Sequence, residues 1–536
     1  MAATSKQDIY DLFVIGGGVN GCGVARDAAG RGLSVLLVEK DDLAQATSSA
    51  STKLFHGGLR YLEYFQFGMV RDSLIERETL LKMMPHISWP LRFVFPVTPD
   101  LRIEKDSSSL GRMLAWIPGL AGRRPAWLTR VGLFIYDHLG GRQILPACRG
   151  IDLRSHAAGA PLDARFKRGF EYSDCWVEDS RLVILNARSA GAHGAKILTR
   201  TRFVSAKREG EIWHVTFVGQ DGATQEIMAR AIVNAAGPWA KAVLSGEMVR
   251  DNQHGLRLVR GSHIITRRLF DHDQPYFLQL SDGRIIFAIP YEQNFTLIGT
   301  TDVDHFGDPA SASCSQEERA YLLQAVNRFF SVPVTEADVV ASYAGVRPLY
   351  DDGAAAAAAA TRDYVLTCDD SEGRVETAPS GTAPLVNVFG GKITTYRKLA
   401  ENVMGRLAAY FPSMTGSWSS GEPLPGGNFN LEDIEALQEK LRASHPFLDA
   451  AWATRLIRAY GTDSFAMFDS IETIKDLGKH FGGNLYEREV VWLMTREWAM
   501  TAEDVLWRRS KMGLVLTDTE AAVLDKWMAS HASMAA

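Results

Sequence analysis

The run "FVIGGGVNGCG", residues 13 to 23, sets the tightest limit on what this chain can become. Its glycines at 16, 18 and 21 follow a short apolar run, "DLFVI", and open the Ala-rich stretch "GVARDAAGRG". A second apolar run, "SVLLVEK", follows and ends near Glu39. Strand, glycines, helix, strand and acid in that order form a dinucleotide-binding unit. Gly16 permits the tight turn, Gly18 lets the backbone approach a pyrophosphate, and Gly21 lets helix and strand pack closely. The unpaired N–H groups and the dipole at the helix N-terminus favour an anion there. Glu39 stands where a carboxylate bonds a ribose hydroxyl.

Spacing alone leaves NAD and FAD both open. Three features favour FAD: the fingerprint lies at the extreme N-terminus, a later strand ends in small residues at "IVNAAGPWA", and "VFGGKITT" supplies another helix N-terminus. One chain wrapping a long cofactor from three distant segments suits FAD better than a diffusible nicotinamide.

With 536 residues, 46% of them hydrophobic and 23% charged, the chain can bury several domain cores. A net charge of −5 argues against nucleic acid as a partner. The five cysteines are scattered, with no Cys-x-x-Cys pair, which points to reduced thiols in a cytoplasm and away from a zinc site or disulfide frame. No apolar run reaches the roughly 18 residues of a spanning helix, and no export signal is visible.

Along the chain, residues 70 to 84 carry helical spacing, 198 to 237 alternate like strands, and Leu256 to Thr301 read as an antiparallel block. "SWSSGEPLPGG" has linker composition, and helical patterns dominate beyond it. The expected fold is α/β: a Rossmann-like FAD-binding domain (1–72, 160–240, 340–416) with an inserted antiparallel-sheet substrate domain (73–159, 241–339). A linker (417–427) then leads to an all-helical C-terminal domain (428–536).

The motifs "VIGGGVNGCGVARDAAGRG", "STKLFHGGLRYLE", "RGFEYSDCWVEDSRLV", "NAAGPWA", "RLVRGSHI", "IGTTD", "GVRPL", "TRDY", "VFGGKITTYRKLAE" and "EWAMTAEDVLWRRSKMGL" span nearly the whole chain. In them the sequence resembles the FAD-dependent sn-glycerol-3-phosphate dehydrogenases of bacterial respiratory chains, relatives of the D-amino-acid oxidase group. The resemblance implies oxidation of glycerol 3-phosphate to dihydroxyacetone phosphate by hydride transfer to FAD, with electrons passing to a membrane quinone. It implies a cytoplasmic enzyme held peripherally on the inner, anionic face of the cell membrane, and leaves monomer and homodimer open.

The resemblance places Arg60, Tyr61, Thr300, Arg362 and Lys392 on the substrate. Arg347 is expected to polarise the developing alkoxide and His263 to act as general base. Cofactor contacts are expected from Gly16, Gly18, Gly21, Glu39, the hydroxyl-rich loop Thr47, Ser48 and Ser49, His56, Gly237, Gly390, Gly391, Lys392 and Thr394. Cationic side chains of this kind suit a phosphate dianion. Asp174 and Cys175 read as turn and helix-start residues, and "TAEDVLWRRSK" as a packed helix. The stretch from about Asp100 to Arg130, rich in Arg, Trp and aliphatics, reads as a membrane-docking surface. A glycerophosphate oxidase using oxygen, a non-catalytic flavin-binding protein and an amine oxidase remain as rival readings.

Overall fold

The computed structural model describes residues 9–97, 126–247, 255–281, 283–350, 363–369 and 381–534. Arg362, the alanine run and most of the expected docking segment lie outside them.

The first sheet has parallel strands Ile9–Ile15, Val35–Val38, Lys196–Leu198, Thr224–Asn234 and Leu385–Phe389, with Ile9–Ile15 at the centre between Thr224–Asn234 and Val35–Val38. The central strands Ile9–Ile15, Thr224–Asn234 and Leu385–Phe389 are mostly apolar and buried toward their carboxyl ends because both faces are covered there. Helices Val19–Gly30, Asp179–Ala192 and Tyr396–Leu407 pack over one face through Val24, Ala25, Ile184, Ala187, Leu399 and Val403. The other face is closed by the antiparallel strands Arg202–Glu209 and Ile212–Val218, with Trp213 and Phe217 buried. Four strands of this sheet end side by side, delivering Gly16, Glu39, Ala235 and Gly390 to one edge. Ligands of open α/β sheets bind at such carboxyl ends.

The second sheet is almost wholly antiparallel and ten-stranded, running from Val303–Asp304 through Leu256–Arg267 and Phe295–Gly299 to Leu54–Phe55. Two boundaries differ from those expected. Arg168–Val177 pairs with Ser88–Val97, and Val339–Tyr350 pairs with Leu256–Arg267, so both belong to this sheet rather than to the dinucleotide-binding part. Neither carries a clean polar-apolar alternation, with Arg168–Val177 buried along most of its length, so nothing local signals which partner it pairs with.

The C-terminal part is helical apart from the short hairpin His480–Gly482 and Leu485–Tyr486, and it has its own apolar core. The segment expected as a linker is a packed strap. Trp418 donates its indole N–H to the carbonyl of Asp27 at 3.0 Å and lies under Arg26, whose guanidinium carbon is 4.9 Å from the ring. The Gly30 position has no side chain because a Cβ there would fall 1.9 Å from the Trp418 ring.

Candidate active site

A cleft of about 490 Å³ opens where the carboxyl ends of the first sheet face the second. Gly16 lies in its floor at φ +108°, a conformation L side chains rarely adopt, with the Ala235 carbonyl 2.6 Å from where a Cβ would stand. A Cβ on Gly21 would lie 1.9 Å from the Gly16 carbonyl oxygen. This bare backbone cradle at the start of the Val19–Gly30 helix fits a dinucleotide pyrophosphate. Glu39 is half-buried at the cleft edge, accepting from the N–H groups of Gly17 at 2.6 Å and Asp41 at 2.9 Å, and desolvation of its carboxylate raises its pKa above the usual carboxylate value. Ser48 accepts from the Val19 N–H at 3.0 Å, and Thr47 donates to the Val346 carbonyl at 2.6 Å. Asn20 donates to the Gly390 carbonyl at 3.3 Å, which seats the third cofactor segment on the first.

Of the expected cofactor residues, Gly16, Gly18, Glu39, Thr47, Ser48, His56, Gly237, Gly390, Gly391 and Lys392 line the cleft, and Gly21 shapes it from below. Ser49 and Thr394 do not line it. Ser49 donates back to the Ala46 carbonyl within its own turn at 3.3 Å. Thr394 is buried and ties down the backbone of His56, accepting its N–H at 3.2 Å, so it supports the cleft from behind.

Arg60, Tyr61, Thr300, Arg347 and Lys392 all face the cleft. The Lys392 ammonium stands 4.2 Å above the Tyr61 ring. Arg347 bonds the Asp302 carboxylate at 2.5 Å and the Thr300 hydroxyl at 3.2 Å. Gly261 leaves room for it, since a Cβ there would fall 2.4 Å from the guanidinium.

His263 is placed differently from expectation. It is fully buried and does not line the cleft; its ring lies against Gly299 on one side and stacks on Tyr343 at 4.8 Å. Its Nε2 is 2.9 Å from the hydroxyl of Thr52, which does face the cleft. Burial, reinforced by Arg347 and Lys53, holds the imidazole well below the usual histidine range. Direct proton abstraction by His263 is therefore not what this geometry offers.

Asp174 is neither in a turn nor at a helix start. It sits within Arg168–Val177 and accepts from Arg77 at 2.6 Å and from the Tyr136 hydroxyl at 2.7 Å. Burial raises it to about 6 against the pull of Arg77. Tyr136 in turn accepts the N–H of Gly57 at 2.7 Å, fixing the loop that carries His56, Arg60 and Tyr61. Cys175 is buried and its thiol is pushed up by burial. Thr52 and Asp302 are cleft residues that sequence reasoning missed. Both lie inside recognised motifs, but nothing local distinguishes the cleft-facing hydroxyl or acid from its neighbours.

The model of the FAD dependent oxidoreductase family matches residues 11–383, and that of the C-terminal domain of alpha-glycerophosphate oxidase matches 418–534. A glycerol-3-phosphate dehydrogenase from Pseudomonas aeruginosa is 48% identical over 524 residues, 98% of this chain and 96% of that protein. A D-erythritol 1-phosphate dehydrogenase from Brucella abortus is also 48% identical over 524 residues, 98% of each. The crystal structure of a glycerol-3-phosphate dehydrogenase from Bacillus halodurans complexed with FAD is similar at a TM-score of 0.70 and 26% identity, covering 99% of this chain and 92% of that one. Glycine cradle, cationic cleft and both family matches converge: the chain belongs to the FAD-dependent glycerol-3-phosphate dehydrogenase family.

Proposed function

We propose that this protein oxidises the secondary hydroxyl of glycerol 3-phosphate, giving dihydroxyacetone phosphate, and that the electrons pass on to a membrane quinone. The observation that carries the reading is the meeting of Arg60, Lys392 and Arg347, from three separate motifs, in the cleft that also contains the dinucleotide cradle. FAD, when bound, supplies the two-electron acceptor. Arg60, Tyr61 and Lys392 hold the phosphate dianion, and Arg347 opposes charge developing on the substrate oxygen. Thr52 accepts the hydroxyl proton and passes its own to His263 Nε2, the partner it already faces.

A second reading, oxidation of a four-carbon polyol phosphate, is favoured by the equal similarity to the Brucella abortus protein. Anaerobic mixing of the holoprotein with glycerol 3-phosphate or erythritol phosphate, followed by flavin absorbance, tests both. Bleaching by glycerol 3-phosphate at a higher kcat/KM supports the first reading; bleaching by neither removes both. Reoxidation by a quinone analogue faster than by oxygen separates a dehydrogenase from an oxidase.

Among the described residues no helix is long and apolar enough to cross a membrane. Helix Ala126–Leu139 nevertheless exposes Trp127, Val131 and Phe134, spaced along one face, while Leu133 and Tyr136 are buried on the other. With Arg130 beside them they form an amphipathic face suited to the interface of an anionic bilayer on the inner side of the cell membrane. Changing Trp127, Val131 and Phe134 together to serine should reduce binding to vesicles containing anionic phospholipid by about tenfold or more. Flavin reduction by substrate should stay unchanged. Full retention on vesicles would move the docking surface elsewhere.

A further inference from the structure

We infer that the C-terminal helical domain holds the ribose-side loop of the FAD site in its binding shape, through a buried charge cluster in which Arg508 and Arg509 grip Asp42. The inference rests on the cofactor assignment above and gives the C-terminal domain a role in holding that cofactor.

Asp42 lies three residues beyond Glu39 and is 1% exposed. Arg509, also 1% exposed, donates to both of its carboxylate oxygens, at 2.6 and 2.8 Å, and Arg508 donates to one of them at 2.6 Å. Neither arginine is free to swing away. Arg509 also donates to the Glu497 carbonyl at 3.0 and 2.7 Å, and Arg508 is held by Asp504 at 2.5 Å. Asp504 accepts from the Arg200 side chain at 2.6 Å, and the Arg200 backbone N–H reaches the Asp41 carbonyl at 2.9 Å. The loop is therefore held by its side chain and by its backbone, from one cluster.

What is held is the edge of the cofactor cleft. The Ala44 N–H donates to the Gly17 carbonyl at 3.1 Å, and the Gly17 N–H donates to Glu39, so loop and glycine turn are laced together. Ala44 has φ +62°, a conformation disfavoured for a residue with a Cβ. A loop of this shape needs outside support, and Asp42 is where the support attaches. A cluster serving only to join two domains has no need to end on the loop that lines the cofactor cleft.

The test is FAD affinity, measured by quenching of flavin fluorescence on the deflavinated full chain. Asp42→Asn and Arg509→Gln each should raise the Kd for FAD by about tenfold or more. Glu503→Gln, which alters the 66% exposed partner on the outer side of Arg508, should leave it unchanged. FAD bound by both variants within about twofold of the wild type would overturn the proposal, whatever happens to their melting temperatures. Should the variants fail to fold, the wild-type protein answers by reciprocity: FAD binding must slow amide exchange across residues 500–512, and exchange there that ignores FAD overturns the clamp. A wild-type apoprotein that takes up no FAD would instead remove the cofactor reading itself.

Discussion

Gly21→Val yields a folded protein that purifies without flavin. Already the first side-chain carbon would stand 1.9 Å from the Gly16 carbonyl oxygen and 3.0 Å from its carbon, and both are backbone. Gly16 cannot retreat, because at φ +108° it is itself backed by the Ala235 carbonyl, 2.6 Å from its own Cβ direction. The N-terminal turn of the Val19–Gly30 helix must move away from the strand that precedes it. Overpacking of this kind costs about 1 to 3 kcal/mol, and here the displacement falls on the N–H groups that would meet the pyrophosphate. A loss near the upper end corresponds to about a hundredfold in FAD affinity. The check is visible flavin absorbance against protein absorbance after purification, followed by FAD titration of the apoprotein. Wild-type affinity in Gly21→Val would place the dinucleotide elsewhere in the molecule.

That glycine was legible from the sequence because its demand is local: turn, helix and strand are adjacent in the chain, and a steric rule fixes the residue. The same holds for the order of strands and helices around Gly390 and Gly391. Pairing over long separation was not legible. The motif around Asp174 reads as a turn and helix start, yet Arg168–Val177 is a strand, and its partner Ser88–Val97 lies across a helix and a long intervening segment, a pairing that nothing local encodes. Burial of charge was the second blind spot. Asp174 drew attention as a polar residue in a motif, but its partners Arg77 and Tyr136 come from helices far upstream. "DVLWRRSK" looks like an ordinary helix with a basic last turn, and only the fold shows both arginines buried on Asp42. His263 was identified by its motif, whereas its depth depends on how the loop bearing Thr52 lies over the sheet.

The substrate side of the cleft has its own decisive residue. Arg347→Ala should leave FAD bound and lower kcat/KM for glycerol 3-phosphate by about 30- to 1,000-fold, a loss of about 2 to 4 kcal/mol of transition-state stabilisation. The guanidinium is built into position rather than left to find it: Asp302 holds one nitrogen, Thr300 the other, and Gly261 vacates the space in front. Preorganised charge of this kind acts mainly where charge develops, so the loss should appear more in the rate of flavin reduction than in KM. Arg347→Lys should recover little, since a single ammonium cannot satisfy Asp302 and Thr300 together and still face the substrate. Asp302→Asn separates position from charge: it keeps Arg347 but loosens its anchor, and should fall between wild type and Arg347→Ala. Stopped-flow reduction under anaerobic conditions gives all three values. If Arg347→Ala reduces its flavin at the wild-type rate while Asp302→Asn does not, the aspartate itself is the group at the reacting oxygen, and the roles drawn for this pair must be exchanged.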